Sequence, residues 1–152
     1  MKLFIDTAIT SEIKEAAELG IISGVTTNPS LLAKSGRSLN DVITEILSLV
    51  DGPISAEVEE SDATHMYKQA HEIVTITKNN PNITIKLPIT ADGVKVCSML
   101  SKENIKTNVT LVFTVSQAVL AMEAGATFIS PFMGRMDDYF EEHDSGYELI
   151  KK

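Results

Sequence analysis

Apolar residues fall into two rhythms along this chain, and the rhythms take turns. Short runs that alternate or stay apolar read as strands: KLFID (2–6), ISGVTT (22–27), ISAEV (54–58), ITIKLP (83–88), IKTNVT (105–110) and TFISPF (127–132). Each is followed by a stretch with apolar positions three and four apart. These are SEIKEAAELG (11–20), DVITEILSLV (41–50), DATHMYKQAHEIVTIT (62–77), DGVKVCSMLSKEN (92–104), VSQAVLAMEAG (115–125) and the start of a helix in GYELIKK (146–152). The alternation predicts an α/β fold with a parallel sheet. Gly20, Gly52 and Gly125 stand where helix C-caps belong. Ser61 precedes a helix with Asp62 expected in its first turn.

The polar positions choose between two parallel architectures. In a doubly wound open sheet helices cover both faces, so central strands are apolar on both sides. Here one side of each strand is apolar and the other turns polar or small near its end. Asp6, Thr26 with Asn28 after it, Ser55 and Glu57, Lys86, Asn108 and Thr110, and Ser130 share that side. Length favours the open sheet, because an eight-unit barrel usually takes about 250 residues and this chain has 152. The polar side favours a (β/α)8 TIM-barrel type, whose strands converge on one axis and whose site sits at their carboxyl ends. We expect a single domain over 1–152, holding about the first six βα units and incomplete at its C-terminus.

Composition narrows the function classes. Net charge is −8, which argues against nucleic-acid and anionic-membrane surfaces. One cysteine, Cys97, fits a reducing compartment. The N-terminus lacks a signal-like apolar region, since Asp6 interrupts it, and no apolar run approaches a membrane span. A cytoplasmic location is expected.

Lys86 carries the sharpest chemical signal. It lies mid-strand between Ile85 and Leu87, on the same side as Thr84. An amine walled by apolar groups loses hydration, which favours its neutral, nucleophilic form. Such an amine attacks ketone or aldehyde carbonyls to give a Schiff base. A structural ion pair with Asp6 or Glu57 is the plainer reading. Carboxylates nearby also serve imine chemistry, because they take a hydroxyl proton as a carbon–carbon bond breaks.

FIDTA (4–8), GVTTNPSL (24–31), SAEV (55–58), IKLP (85–88), KTNVTLVF (106–113) and SPFMGR (130–135) together resemble the transaldolase family, in order and spacing. The likeness is to its small-subunit branch, which includes fructose-6-phosphate aldolases. The resemblance implies a (β/α)8 barrel and class I Schiff-base transfer of a dihydroxyacetone unit between sugar phosphates in the pentose phosphate pathway. Sedoheptulose 7-phosphate and glyceraldehyde 3-phosphate would give erythrose 4-phosphate and fructose 6-phosphate. It implies Lys86 as the Schiff-base lysine and Asp6 as the acid/base. Glu57 and Thr110 would hold a catalytic water. Asn28, Asn108 and Ser130 would hold the dihydroxyacetone part, Arg135 the phosphate, and Thr26 would line the pocket. Family aldolases carry glutamine near Glu57 and tyrosine near Phe132, so this chain has the transferase pattern. No metal or organic cofactor is implied, and homo-oligomers are usual.

The resemblance also implies two further βα units and a terminal helix, with a serine–arginine phosphate segment, beyond GYELIKK. The chain thus reads as a fragment, and its own activity stays open. Three rival readings also stay open: an aldolase-type lyase, a carboxylate-based isomerase or lyase without an imine, and an inactive remnant serving assembly or binding. MGRMDDYFEEHDSG (133–146) reads as a solvated loop, with Asp137, Asp138 and His143 as a weak metal alternative. Glu59, Glu60, Asp62 and His65 form another, discounted because they straddle a strand end and a helix start. His71 is expected on a helix flank, Cys97 in a buried stripe with Val94 and Leu100, and Met99, Met122 and Met133 in packing roles.

Overall fold

The computed structural model describes residues 1–59, 61–140 and 145–151. The chain forms two compact units, one of residues 1–59 with 65–85, the other of 60–64 with 86–152.

The first unit holds β1 (Leu3–Asp6), α1 (Thr10–Glu18), β2 (Ile22–Thr26), α2 (Pro29–Ser35), α3 (Leu39–Leu49), β3 (Ile54–Glu57), most of α4 (Ala63–Ile76) and the first half of β4 (Ile83–Pro88). β1 pairs parallel with β2, and β2 with β3; Asp6 stands opposite Thr26, and Thr26 opposite Ser55. Ile54 N donates to Asn82 O at 2.8 Å, tying β3 to the chain entering β4. The core is built from branched side chains: Val25 and Ile54 on strands, Ile13 on α1, and Val42, Ile43 and Ile46 on α3. These last three recur at i, i+1 and i+4, so α3 buries a continuous stripe. Gly52 is not a helix cap. α3 ends at Leu49 with Val50 as its cap, and Gly52 packs so closely that a Cβ would fall on the Ser23 carbonyl.

The second unit continues β4 and adds α5 (Ala91–Lys102), β5 (Thr107–Val112), α6 (Val115–Glu123), β6 (Phe128–Pro131), α7 (Met133–Phe140) and α8 (Ser145–Lys151). Ile89 N donates to Thr110 O at 3.0 Å, and β5 pairs parallel with β6, Thr110 opposite Ser130. In each unit, then, strands neighbour one another in chain order. A doubly wound sheet needs a reversal of order at its switch point, and neither unit contains one. The fold is of the (β/α)8 type with six of its strands present.

Three expectations need correction. The hydrophobic rhythm passes over PSLLAK, yet this stretch forms α2. The Asn28 side chain accepts from Leu31 N at 3.0 Å, Pro29 stands at the first helical position, and Gly36 closes the helix at φ 66°. MGRMDDYF is helix α7 and not loop. Met133, Met136 and Phe140 recur at helical spacing, a rhythm masked by the acidic residues between them. Asp62 precedes α4 and is not in its first turn; its carboxylate accepts from Thr64 N at 2.9 Å.

Smaller departures follow the same logic. Cys97 is buried as expected, but Val96 and Leu100 share its stripe and Val94 is only half-buried. Met122 and Met133 are exposed where packing roles were expected, whereas Met99 is half-buried. His71 is half-buried on α4, its ring edge-on to Tyr67 with centroids 4.6 Å apart.

Candidate active site

Each unit gathers its own share of the polar side chains. In the first, the register that sets Asp6 opposite Thr26 brings their side chains together: Thr26 Oγ1 donates to Asp6 Oδ1 at 2.7 Å. Asp6 is exposed and Thr26 half-buried. The next residue, Thr27, is buried, and its hydroxyl donates to Ser55 O at 2.9 Å, which fixes the end of β2 against β3. Asn28 then caps α2 through its Oδ1, which orients its amide at the end of β2. Glu57 ends β3, half-buried after three buried residues.

In the second unit the polar groups lie deeper. Lys86 is 4% exposed, and every residue of β4 is buried. Asn108 and Thr110 on β5 are buried too. Ser130 Oγ donates to Asn108 Oδ1 at 2.8 Å, which orients the amide with its nitrogen turned away from Ser130. The Thr110 hydroxyl is buried without a hydrogen-bond partner among the described residues, as is that of Thr84. A buried hydroxyl without a partner is costly unless water or a ligand completes it.

The close of β4 is tightly packed. Thr90 caps α5 by accepting from Gly93 N at 3.0 Å, and a Cβ at Gly93 would fall on the Pro88 carbonyl oxygen. Beyond Thr110, Leu111 adopts φ 63°, and the β5–β6 register shifts between Thr110 and Val112. Thr110 and Val112, on either side of this bulge, are both buried.

Phe132 and Arg135 lie just past β6. The Arg135 guanidinium sits 4.9 Å from the centroid of the Phe132 ring, and Phe113 meets Phe132 edge-on, centroids 6.0 Å apart at 64°. Phe113 is the residue that sequence reasoning missed; it closes the apolar run TLVF and looks like one more core position. Arg135 and Phe113 also border a cavity of about 620 Å³ with Met136, Tyr139 and Phe140.

Among the described residues no cluster of three or more His, Cys, Asp or Glu is arranged to hold a metal ion. Asp137 accepts from Gly146 N at 2.8 Å, a structural role at the start of α8. His143 and Glu60, named in the two metal alternatives, lie outside the described residues. No helix among those described is long and apolar enough to cross a membrane.

Comparison with known proteins decides the family. The model of the transaldolase/fructose-6-phosphate aldolase family matches residues 3–152. The chain belongs to the transaldolase/fructose-6-phosphate aldolase family. A probable transaldolase of Caldicellulosiruptor saccharolyticus is 57% identical over all of this chain and 67% of that protein. One of Geobacter metallireducens is 58% identical over 93% of this chain and 65% of its own length. The chain thus spans about two thirds of the length of these transaldolase-family relatives. The carboxyl transferase domain of Rhizobium etli pyruvate carboxylase (Y628A, with pyruvate) aligns with 87% of this chain and 27% of that one. It does so at a TM-score of 0.53 and 14% identity, a likeness of fold alone.

Proposed function

We propose that this chain carries the imine-forming centre of a transaldolase, with Lys86 as nucleophile toward the ketone carbonyl of a sugar phosphate. The observation that carries the reading is the burial of Lys86 in a strand with no exposed residue. A lysine placed there for solubility would point outward. Family membership and relatives described as probable transaldolases support the reaction class.

The mechanism assigns each residue one task. The Lys86 amine adds to the ketone of fructose 6-phosphate or sedoheptulose 7-phosphate, and the carbinolamine loses water to give the imine. Asp6 takes the proton of the hydroxyl next to the scissile bond, the carbon–carbon bond breaks, and an aldose phosphate leaves. The electron pair stays on Lys86 as an enamine, which attacks an acceptor aldehyde such as glyceraldehyde 3-phosphate; Asp6 returns the proton. Glu57 and Thr110 handle the water released and taken up, and the Thr110 hydroxyl, buried without a partner among the described residues, suits that task. Asn28, Asn108 and Ser130 hold the dihydroxyacetone part, Arg135 the phosphate, and Thr26 keeps the Asp6 carboxylate in place. Glu57 and Phe132, in place of glutamine and tyrosine, favour transfer over release. The setting is the pentose phosphate pathway in the cytoplasm, in a homo-oligomer.

Borohydride reduction in the presence of fructose 6-phosphate tests this. A covalent adduct on Lys86, absent from Lys86→Ala, is expected. Folded chain that gives no adduct, or Lys86→Arg that retains turnover, would overturn the imine. Release of free dihydroxyacetone without acceptor would instead mark the aldolase.

A further inference from the structure

We infer that Phe113 is a positioning residue for phosphate selectivity, holding the Arg135 guanidinium in place through the ring of Phe132. The inference rests on the reading of Arg135 as the phosphate-binding arginine and adds a residue to it that no motif assigned. All the groups concerned lie within the second unit.

The chain of interactions starts at α6. Thr114 and Gln117 form a capping box, and the Gln117 side chain also accepts from Phe113 N at 2.8 Å. The backbone of Phe113 is thereby fixed to the first turn of a helix. Its ring meets the Phe132 ring edge-on, an arrangement that aromatic quadrupoles favour. Phe132 is fixed from its own side by a bond from its N–H to Val112 O at 3.1 Å. Two anchored rings thus form a platform, and the Arg135 guanidinium lies over it at 4.9 Å.

The platform matters because Arg135 is exposed and has a competitor. Asp138 stands three residues on along α7, a spacing that places the two side chains side by side on the helix. A guanidinium released from the ring can fold onto that carboxylate, which neutralises the charge a phosphate needs. Held over the Phe132 ring, it is kept from that carboxylate and its N–H fork stays available for bidentate phosphate recognition. Phe113 therefore acts on the phosphate through Phe132 and touches no substrate atom.

The test compares Phe113→Leu, Arg135→Ala and the double variant. The first readout is the ratio of half-saturating concentrations for borohydride trapping with fructose 6-phosphate and with unphosphorylated fructose. The second is titration with inorganic phosphate followed by ³¹P line width, which needs no imine. Phe113→Leu should cut the selectivity ratio and the phosphate affinity by about two- to threefold, a part of one exposed cation–π contact. Arg135→Ala should cut them further, and adding Phe113→Leu to it should change nothing more. Equal weakening of both sugars, independent additivity of the two changes, or no phosphate binding by the parent chain would overturn the inference. Loss of trapping with phosphate binding intact would instead count against Lys86 alone.

Discussion

The two units bury their candidate polar groups to different depths. In the first, α3 hides Val42, Ile43 and Ile46, while Asp6 is exposed and Glu57 half-buried. In the second, Lys86, Asn108 and Thr110 are all enclosed, and α5 hides Val96, Cys97 and Leu100. There α6 hides only Ala121 and leaves Val119, Leu120 and Met122 about half exposed. Apolar content does not separate α3 from α6, since both are rich in it. What differs is whether a packed surface exists on the far side. The lesson is that a helix's apolar stripe reports a demand for a partner, and only the structure reports whether the described residues meet it.

The contrast can be broken at several points. The largest effect is expected at the enclosed amine: Lys86→Ala should abolish borohydride-trapped adduct, read by intact mass, with the fold retained by circular dichroism. Next come the helices. Ile43→Ala in α3 should cost about 2–4 kcal/mol in urea unfolding, against under about 0.5 kcal/mol for Leu120→Ala in α6. Equal costs would erase the contrast. A smaller effect separates the hydroxyls. Ser130→Ala removes one hydrogen bond to buried Asn108 and should slow trapping about three- to tenfold. Thr26→Val, beside exposed Asp6, should act less on stability than on the cleavage step, seen as slower release of aldose phosphate with trapping retained.

The smallest expected effects are in pH. Burial pushes the Cys97 thiol above its ordinary value, outweighing the opposing hydrogen bond with Thr107. A raised value means the folded state keeps its proton longer than the unfolded one. The contribution is therefore full below the unfolded thiol's value, about 8.5, and is lost as pH rises from there through the raised one. Unfolding midpoints measured toward pH 10 should fall in the parent and fall less in Cys97→Ala. On the surface, the hydrogen bond from Arg37, with help from Thr10, holds the Glu45 carboxyl below the usual range. Arg37→Ala should return it upward in an NMR titration with no measurable change in stability.

Much of this was legible in the residues. The turn from one rhythm to the other located all six strands and most helices, and the polar side chains at strand ends placed Lys86, Asn108 and Thr110 on β4 and β5. The chain-order pairing within each unit agrees with the barrel-type reading. What escaped was of two physical kinds. α2 and α7 are short helices whose apolar stripes are interrupted by polar residues, so periodicity over a long window passes over them. Phe113 escaped because a ring that stacks on another ring and a ring that packs in a core look alike in sequence. The Leu111 bulge escaped as well, since a leucine at positive φ carries no compositional mark.

Gly93 has a consequence that reaches back to Lys86. Because no atom fits between its Cα and the Pro88 carbonyl, a substitution there would lever the start of α5 away from the strand that presents the amine. On the proposed reading, a saturation survey scored on growth would colour positions 86 and 93 alike, one for its amine and the other for its clearance. Only a covalent label tells them apart: with Gly93→Ala the amine is still present but misaimed, so a small, unselective aldehyde should reach it where a sugar phosphate no longer does.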